Sequence, residues 1–164
     1  MTKKLTTIAL IGALYTALTF VSAPFSFGAI QLRLSEALCI LPLFSPISVL
    51  GLTFGCLISN LIGFFTGFNP LGLIDMVVGT SATLIGAVLT YLIGKVVRKK
   101  AFLYILAPLP PILANGFIVG AELYFLFKGS YLFHFFSVAI GEAIILYILG
   151  SMLISVLSKR NIFK

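Results

Sequence analysis

Four acidic side chains stand in a chain of 164 residues that is 60% hydrophobic. They are Glu36, Asp75, Glu122 and Glu142. Each lies in or beside an apolar stretch, where an ionised group is costly and usually marks a substrate, ion or proton site. Two cations share their neighbourhood in sequence, Arg33 and Lys128. Carboxylates accept hydrogen bonds from N–H donors and attract ammonium groups. The polar amides Gln31, Asn60 and Asn115 add donors and acceptors to the same set. Together these residues suit an apolar-walled site for a small, donor-rich guest.

The acids need a scaffold, and composition restricts it. Only 9% of residues are charged, against about a quarter in soluble domains, and the mean hydropathy is +1.20. A spanning helix needs about 20 mostly apolar residues. The expected fold is an all-α membrane protein, one domain over residues 1–164. Six transmembrane helices are expected, at about 5–22, 32–44, 47–65, 70–97, 101–127 and 131–157. The second is short, limited by Pro42 and Pro46, and a re-entrant piece is the alternative. The first has lysines before its apolar run, like a signal peptide. Its run is long and Ser22-Ala23-Pro24 is a poor cleavage site, so it is read as a retained span.

The net charge of +7 does not point to nucleic acid. Lys3, Lys4, Lys95, Arg98, Lys99, Lys100, Lys159, Arg160 and Lys164 fall at segment ends. Six spans put them all on one side, which the positive-inside rule makes cytoplasmic. Both termini are then cytoplasmic and all four acids lie in the outer half. Glu142 is the deepest, about 16 Å into its helix at 1.5 Å per residue.

Small residues mark the contact faces. Gly51, Gly55, Ser59, Gly63 and Gly67 recur every fourth residue, a pattern that lets helices approach closely. Gly72, Gly79 and Gly86 make a second seam. Ala9, Ala13 and Ala17 make a third, either for internal packing or for docking a partner membrane protein. Pro108, Pro110 and Pro111 must bend or break the fifth segment. Asn69-Pro70 reads as the start of the fourth.

Structural readings compete with functional ones. Arg33 and Glu36 are spaced to pair on one helix face. Asp75 can complement a helix N-terminus. Glu122 can reach Lys128. Glu142 has no cation at helical spacing in its own segment and is the first candidate for ligand contact. His134 is read as an interfacial side chain, and Cys39 and Cys56 as small core residues; no metal motif is present.

Three function classes are open at this point. A small-molecule uptake subunit needs the polar set described. An intramembrane enzyme needs a nucleophile with a base, or a metal cluster, and the chain has one His, no HExxH and no GxSxG. A channel or scaffold would need a continuous polar path, and the inner half has almost none. No Walker A sequence is present, so any nucleotide energy comes from a partner. No cofactor is expected.

Four motifs carry a family resemblance over nearly the whole chain. Gln31-Leu-Arg-Leu-Ser-Glu-Ala37, Gly55-Cys-Leu-Ile-Ser-Asn60, Leu106-Ala-Pro-Leu-Pro-Pro111 with Asn115-Gly116, and Gly141-Glu142 resemble the QueT family of queuosine-precursor transporters. The resemblance implies the substrate-binding (S) component of an energy-coupling factor transporter. It implies capture of a 7-deazaguanine such as preQ1 or queuine; an S component for another vitamin-like heterocycle is the alternative. The implied partners are a membrane T component and two cytoplasmic ATPases, with membrane lipid around the chain. The implied docking face is Ala9, Ala13 and Ala17. The residues expected to bind substrate are Glu142, Asn115, Glu122, Asp75, Arg33, Glu36, Gln31 and Asn60.

Overall fold

The computed structural model describes residues 2–26 and 32–160, which form helices joined by turns and short irregular links. Helix α1 (Thr2–Val21) leads through the single turn Ala23–Ser26 to a 3-10 helix, Leu34–Leu43. Helices α2 (Ile47–Phe65), α3 (Val78–Val96) and α4 (Leu109–Phe127) follow. The short helix Gly72–Asp75 precedes α3, and Lys100–Leu106 precedes α4. The last rod is α5 (Tyr131–Ile145), a π turn (Leu146–Gly150) and α6 (Ser151–Arg160).

Five runs are long and apolar enough to cross a membrane: Thr2–Val21, Ile47–Phe65, Gly72–Val96, Lys100–Phe127 and Tyr131–Lys159. The expected second span differs. It is a 3-10 helix of 10 residues, about 20 Å long at roughly 2.0 Å per residue, against about 30 Å of hydrocarbon. Its position at the centre of the bundle explains its form. Ser35 to Ile40 are all buried, and three residues per turn make a thinner rod than an α-helix. Pro42 lies within it and supplies no N–H for an α-helical bond.

Glycine contacts set the order of packing. A Cβ on Gly55 would fall 2.7 Å from the Cβ of Tyr15, and one on Gly51 would fall 2.7 Å from the Cβ of Ile11. Helices α1 and α2 therefore touch along backbone and run parallel, Ile11 beside Gly51 and Tyr15 beside Gly55, with Thr16 Oγ1 donating to the Gly55 carbonyl at 3.3 Å. Gly86 meets Pro111 and joins α3 to α4; Gly116 and Gly120 meet Phe135 and join α4 to α5. Gly94 meets Leu43, and Gly150 meets Ile40. The 3-10 helix thus ends beside the end of α3 and the π turn.

The small-residue stripe of α2 ends earlier than expected. Gly51, Gly55, Ser59 and Gly63 are buried. Gly67 is exposed, at φ +76°, and turns the chain after the helix. The alanine stripe of α1 has no internal use: Ala9, Ala13 and Ala17 are exposed, whereas Gly12, Tyr15 and Thr19 face inward. The fourth segment is not one helix from Asn69 but breaks after Asp75. The fifth breaks at Ala107-Pro108, where prolines were expected to break it, and Pro110 and Pro111 fit within the first turn of α4.

Gly55→Ala should destabilise the fold by about 1–3 kcal/mol, because the added methyl must push α1 from α2. Thermal unfolding in detergent measures this directly.

Candidate functional site

The four acids converge although they come from four elements. Glu36 is in the first turn of the 3-10 helix, Asp75 closes the short helix before α3, Glu122 is on α4 and Glu142 on α5. All four are buried: Glu36 is 1% exposed, Asp75 5%, Glu122 6% and Glu142 4%. Arg33, 7% exposed, is the shared cation. It lies 3.9 Å from Glu36 Oε1 and within electrostatic reach of Asp75, Glu122 and Glu142.

The pairing of Arg33 with Glu36 is therefore real, and it is buried rather than a surface contact. Glu36 is fully engaged. Tyr15 Oη donates to Oε1 in a short contact, and Cys39 Sγ donates to Oε2 at 3.0 Å. Thr19 and Ser35 hydroxyls share a hydrogen bond of 2.7 Å, which ties the same turn to α1. Ser22 Oγ accepts from Leu34 N–H at 3.3 Å and fixes the entry to the 3-10 helix.

Asp75 has a different holder from the one its sequence position suggests. Asn69 Nδ2 donates to Asp75 Oδ2 at 2.7 Å, while Asn69 Oδ1 accepts from Leu71 N–H at 3.1 Å. Asn60 Nδ2 donates to the Asp75 carbonyl at 3.1 Å. Asn60 thus positions the acid's backbone from α2, across the helix contact expected of it. Asp75 ends its short helix instead of complementing the N-terminus of a long one.

Glu122 and Glu142 contrast with these two. Both oxygens of Glu122, Oε2 of Glu142 and Thr80 Oγ1 are buried without a hydrogen-bond partner among the described residues. Glu122 does not pair with Lys128, which is exposed. A buried carboxylate oxygen without a donor costs several kcal/mol. Such atoms in a native fold call for a completing group, either water or ligand.

Other residues take structural places. Asn115 is buried and gives one amide hydrogen to the Pro111 carbonyl at 3.1 Å. His134 Nε2 hydrogen-bonds the Lys128 carbonyl at 2.7 Å and holds the turn between α4 and α5. Cys39 and Cys56 are free and buried, but Cys56 is more than filler. Its sulfur accepts from Thr83 Oγ1 at 3.3 Å, Asn60 Nδ2 at 3.5 Å and Arg33 Nη1 at 3.8 Å. No metal-holding group of His, Cys, Asp and Glu occurs among the described residues. Gln31 lies outside the described residues.

Sequence reasoning missed Tyr15, Asn69, Thr83 and Thr80. Tyr15 and Thr19, four apart on the only inward face of α1, carried a signal that was available.

Apolar spans around a buried, partly unsatisfied polar cluster define a multi-pass membrane protein built to hold a small solute. A model of the family described as QueT transporter matches residues 5–159, and the chain belongs to that family. It is a transporter of the cell membrane, not an enzyme. The Queuosine precursor transporter QueT of Lactococcus lactis subsp. cremoris (strain MG1363) is 29% identical over 170 residues, covering 97% of this chain and 94% of that relative. No solved structure matches the chain.

Arg33→Met should destabilise the protein by about 3–5 kcal/mol, because it strands Glu36 and leaves buried acids without their cation. A thermal melt that matches the parent would contradict the central place given to Arg33.

Proposed function

We propose that this chain captures a queuosine precursor of the 7-deazaguanine type as the S component of an energy-coupling factor transporter. The supporting observation is the set of orphaned carboxylate oxygens on Glu122 and Glu142. The name of the Lactococcus lactis relative supplies the substrate class. A deazaguanine edge carries a ring N–H beside an exocyclic amine, two donors that one carboxylate accepts together. Glu142 takes that edge. A cationic aminomethyl group, where present, meets Glu122 and Asp75, which otherwise have one arginine among several acids to balance them. Asn115 has an amide hydrogen left for the ring carbonyl, and Gln31, two residues before Arg33 in the sequence, is a further proposed contact. Arg33, Glu36 and Asn60 hold the acids in place.

Six passes, with the 3-10 helix as a short second pass, leave the basic segment ends on the cytoplasmic side and the acids towards the outside. The chain has no phosphate-cradling sequence, so partner ATPases power the step. A T component docks on Ala9, Ala13 and Ala17, the exposed small-residue face of α1. Reorientation of the loaded subunit against that partner then opens the site inward.

Glu142→Gln should weaken precursor binding by roughly 10- to 100-fold, the loss of one charge-assisted contact worth about 1.5–3 kcal/mol. Calorimetry on the purified protein reads this, and unchanged affinity removes Glu142 from the site. Ala13→Leu should leave both stability and substrate affinity intact, since the side chain is exposed. It should abolish co-purification with the T component; undiminished assembly would exclude this docking face.

A further inference from the structure

We propose that the cleft between α3 and α4 binds one anionic phospholipid, with an acyl chain in the cleft and the headgroup phosphate on Arg98, Lys99 and Lys100. The cleft has a volume of about 710 Å³, and every lining side chain is apolar. Ile85, Leu89 and Val96 form one wall, and Leu106, Leu113 and Phe117 the other.

Its depth fits a lipid chain. Ile85 and Val96 are eleven residues apart on α3, as are Leu106 and Phe117 on the facing wall. That separation is about 16 Å at a helix rise of 1.5 Å per residue, close to half of the roughly 30 Å hydrocarbon core. The cleft therefore reaches through one leaflet and ends at the basic loop. The break at Ala107-Pro108 leaves the short helix Lys100–Leu106 with no buried residue. Phe102 and Ile105 are more than half exposed there. Tyr104 packs against the core, so the apolar surface left open at that end is that of Phe102 and Ile105.

Charge selects the lipid class. Arg98, Lys99 and Lys100 are exposed at the mouth of the cleft, while Lys95 rests over the Tyr91 ring, 4.7 Å from its centre. No acidic residue occurs in the sequence between Asp75 and Glu122, and the four acids gather at the other end of the bundle. The basic mouth thus has no counter-charge of its own. Basic pockets beside membrane helices attract anionic headgroups, at about 1 kcal/mol per Lys or Arg. A zwitterionic headgroup offers the same phosphate but brings its own cation to the cluster.

The test uses the full-length protein in detergent and two probes, palmitoyl-oleoyl phosphatidylglycerol and the matching phosphatidylcholine, read by native mass spectrometry. Phosphatidylglycerol should be retained as one molecule per chain under conditions that strip phosphatidylcholine. Replacing the loop cations together (Arg98→Gln, Lys99→Gln, Lys100→Gln) should weaken phosphatidylglycerol by roughly a hundredfold, the equivalent of three lost charges. These side chains are exposed, so the fold should tolerate the change. Filling the cleft with Leu89→Trp and Leu113→Trp should remove the bound lipid while precursor affinity stays unchanged. Equal retention of the two lipids, or a loop variant that keeps the preference, overturns the proposal. Neither outcome bears on the substrate site at the opposite end.

Discussion

The buried ion pair between Arg33 and Glu36 is the constraint on which the rest depends. Two charges cannot remain in an apolar bundle unless their geometry and remaining hydrogen bonds compensate for lost hydration. Here Tyr15 and Cys39 each donate to one oxygen of Glu36, and the Cys56 sulfur receives the guanidinium. Those partners come from α1, the 3-10 helix and α2. Meeting the needs of one pair therefore fixes three elements relative to each other. The 3-10 form belongs to the same solution, since three residues per turn bring Arg33, Glu36 and Cys39 into one column.

Close backbone approach makes the convergence of the other acids possible. Glycines stand where α1 meets α2, α3 meets α4 and α4 meets α5. In lipid, packing of this kind takes the place of a hydrophobic drive between helices. It also narrows the bundle enough for side chains from four elements to meet one arginine. Asp75 is then anchored by two asparagines, whereas Glu122 and Glu142 retain unpartnered oxygens. The cluster is thus divided between an acid held by protein donors and two acids whose oxygens still lack them.

Much of this was legible in the sequence. Helical period and segment length located the apolar runs, the prolines located the break at Ala107-Pro108, and the glycine stripes of α2 and α3 located their contacts with α1 and α4. Chain reversal alone implied that the acids share one end. The 3-10 helix was not legible, because a ten-residue apolar segment looks the same in either helical form until its neighbours are known. Asn69 was visible only as a cap, since its second hydrogen bond goes to a residue placed by the break after Asp75. The cysteines looked inert because thiols in apolar runs usually are; their sulfurs became polar partners through residues on other elements. The alanine face of α1 left two uses open, and only its exposure removes internal packing.

The central claim is that the orphaned oxygens of Glu122 and Glu142 exist to meet a guest. A structure of the protein with a bound queuosine precursor tests it most directly. The expected result is ligand nitrogen atoms about 3 Å from those oxygens, with Arg33 and Glu36 still paired beside them. A precursor bound elsewhere, with both carboxylates turned to protein donors or to lipid, would contradict it.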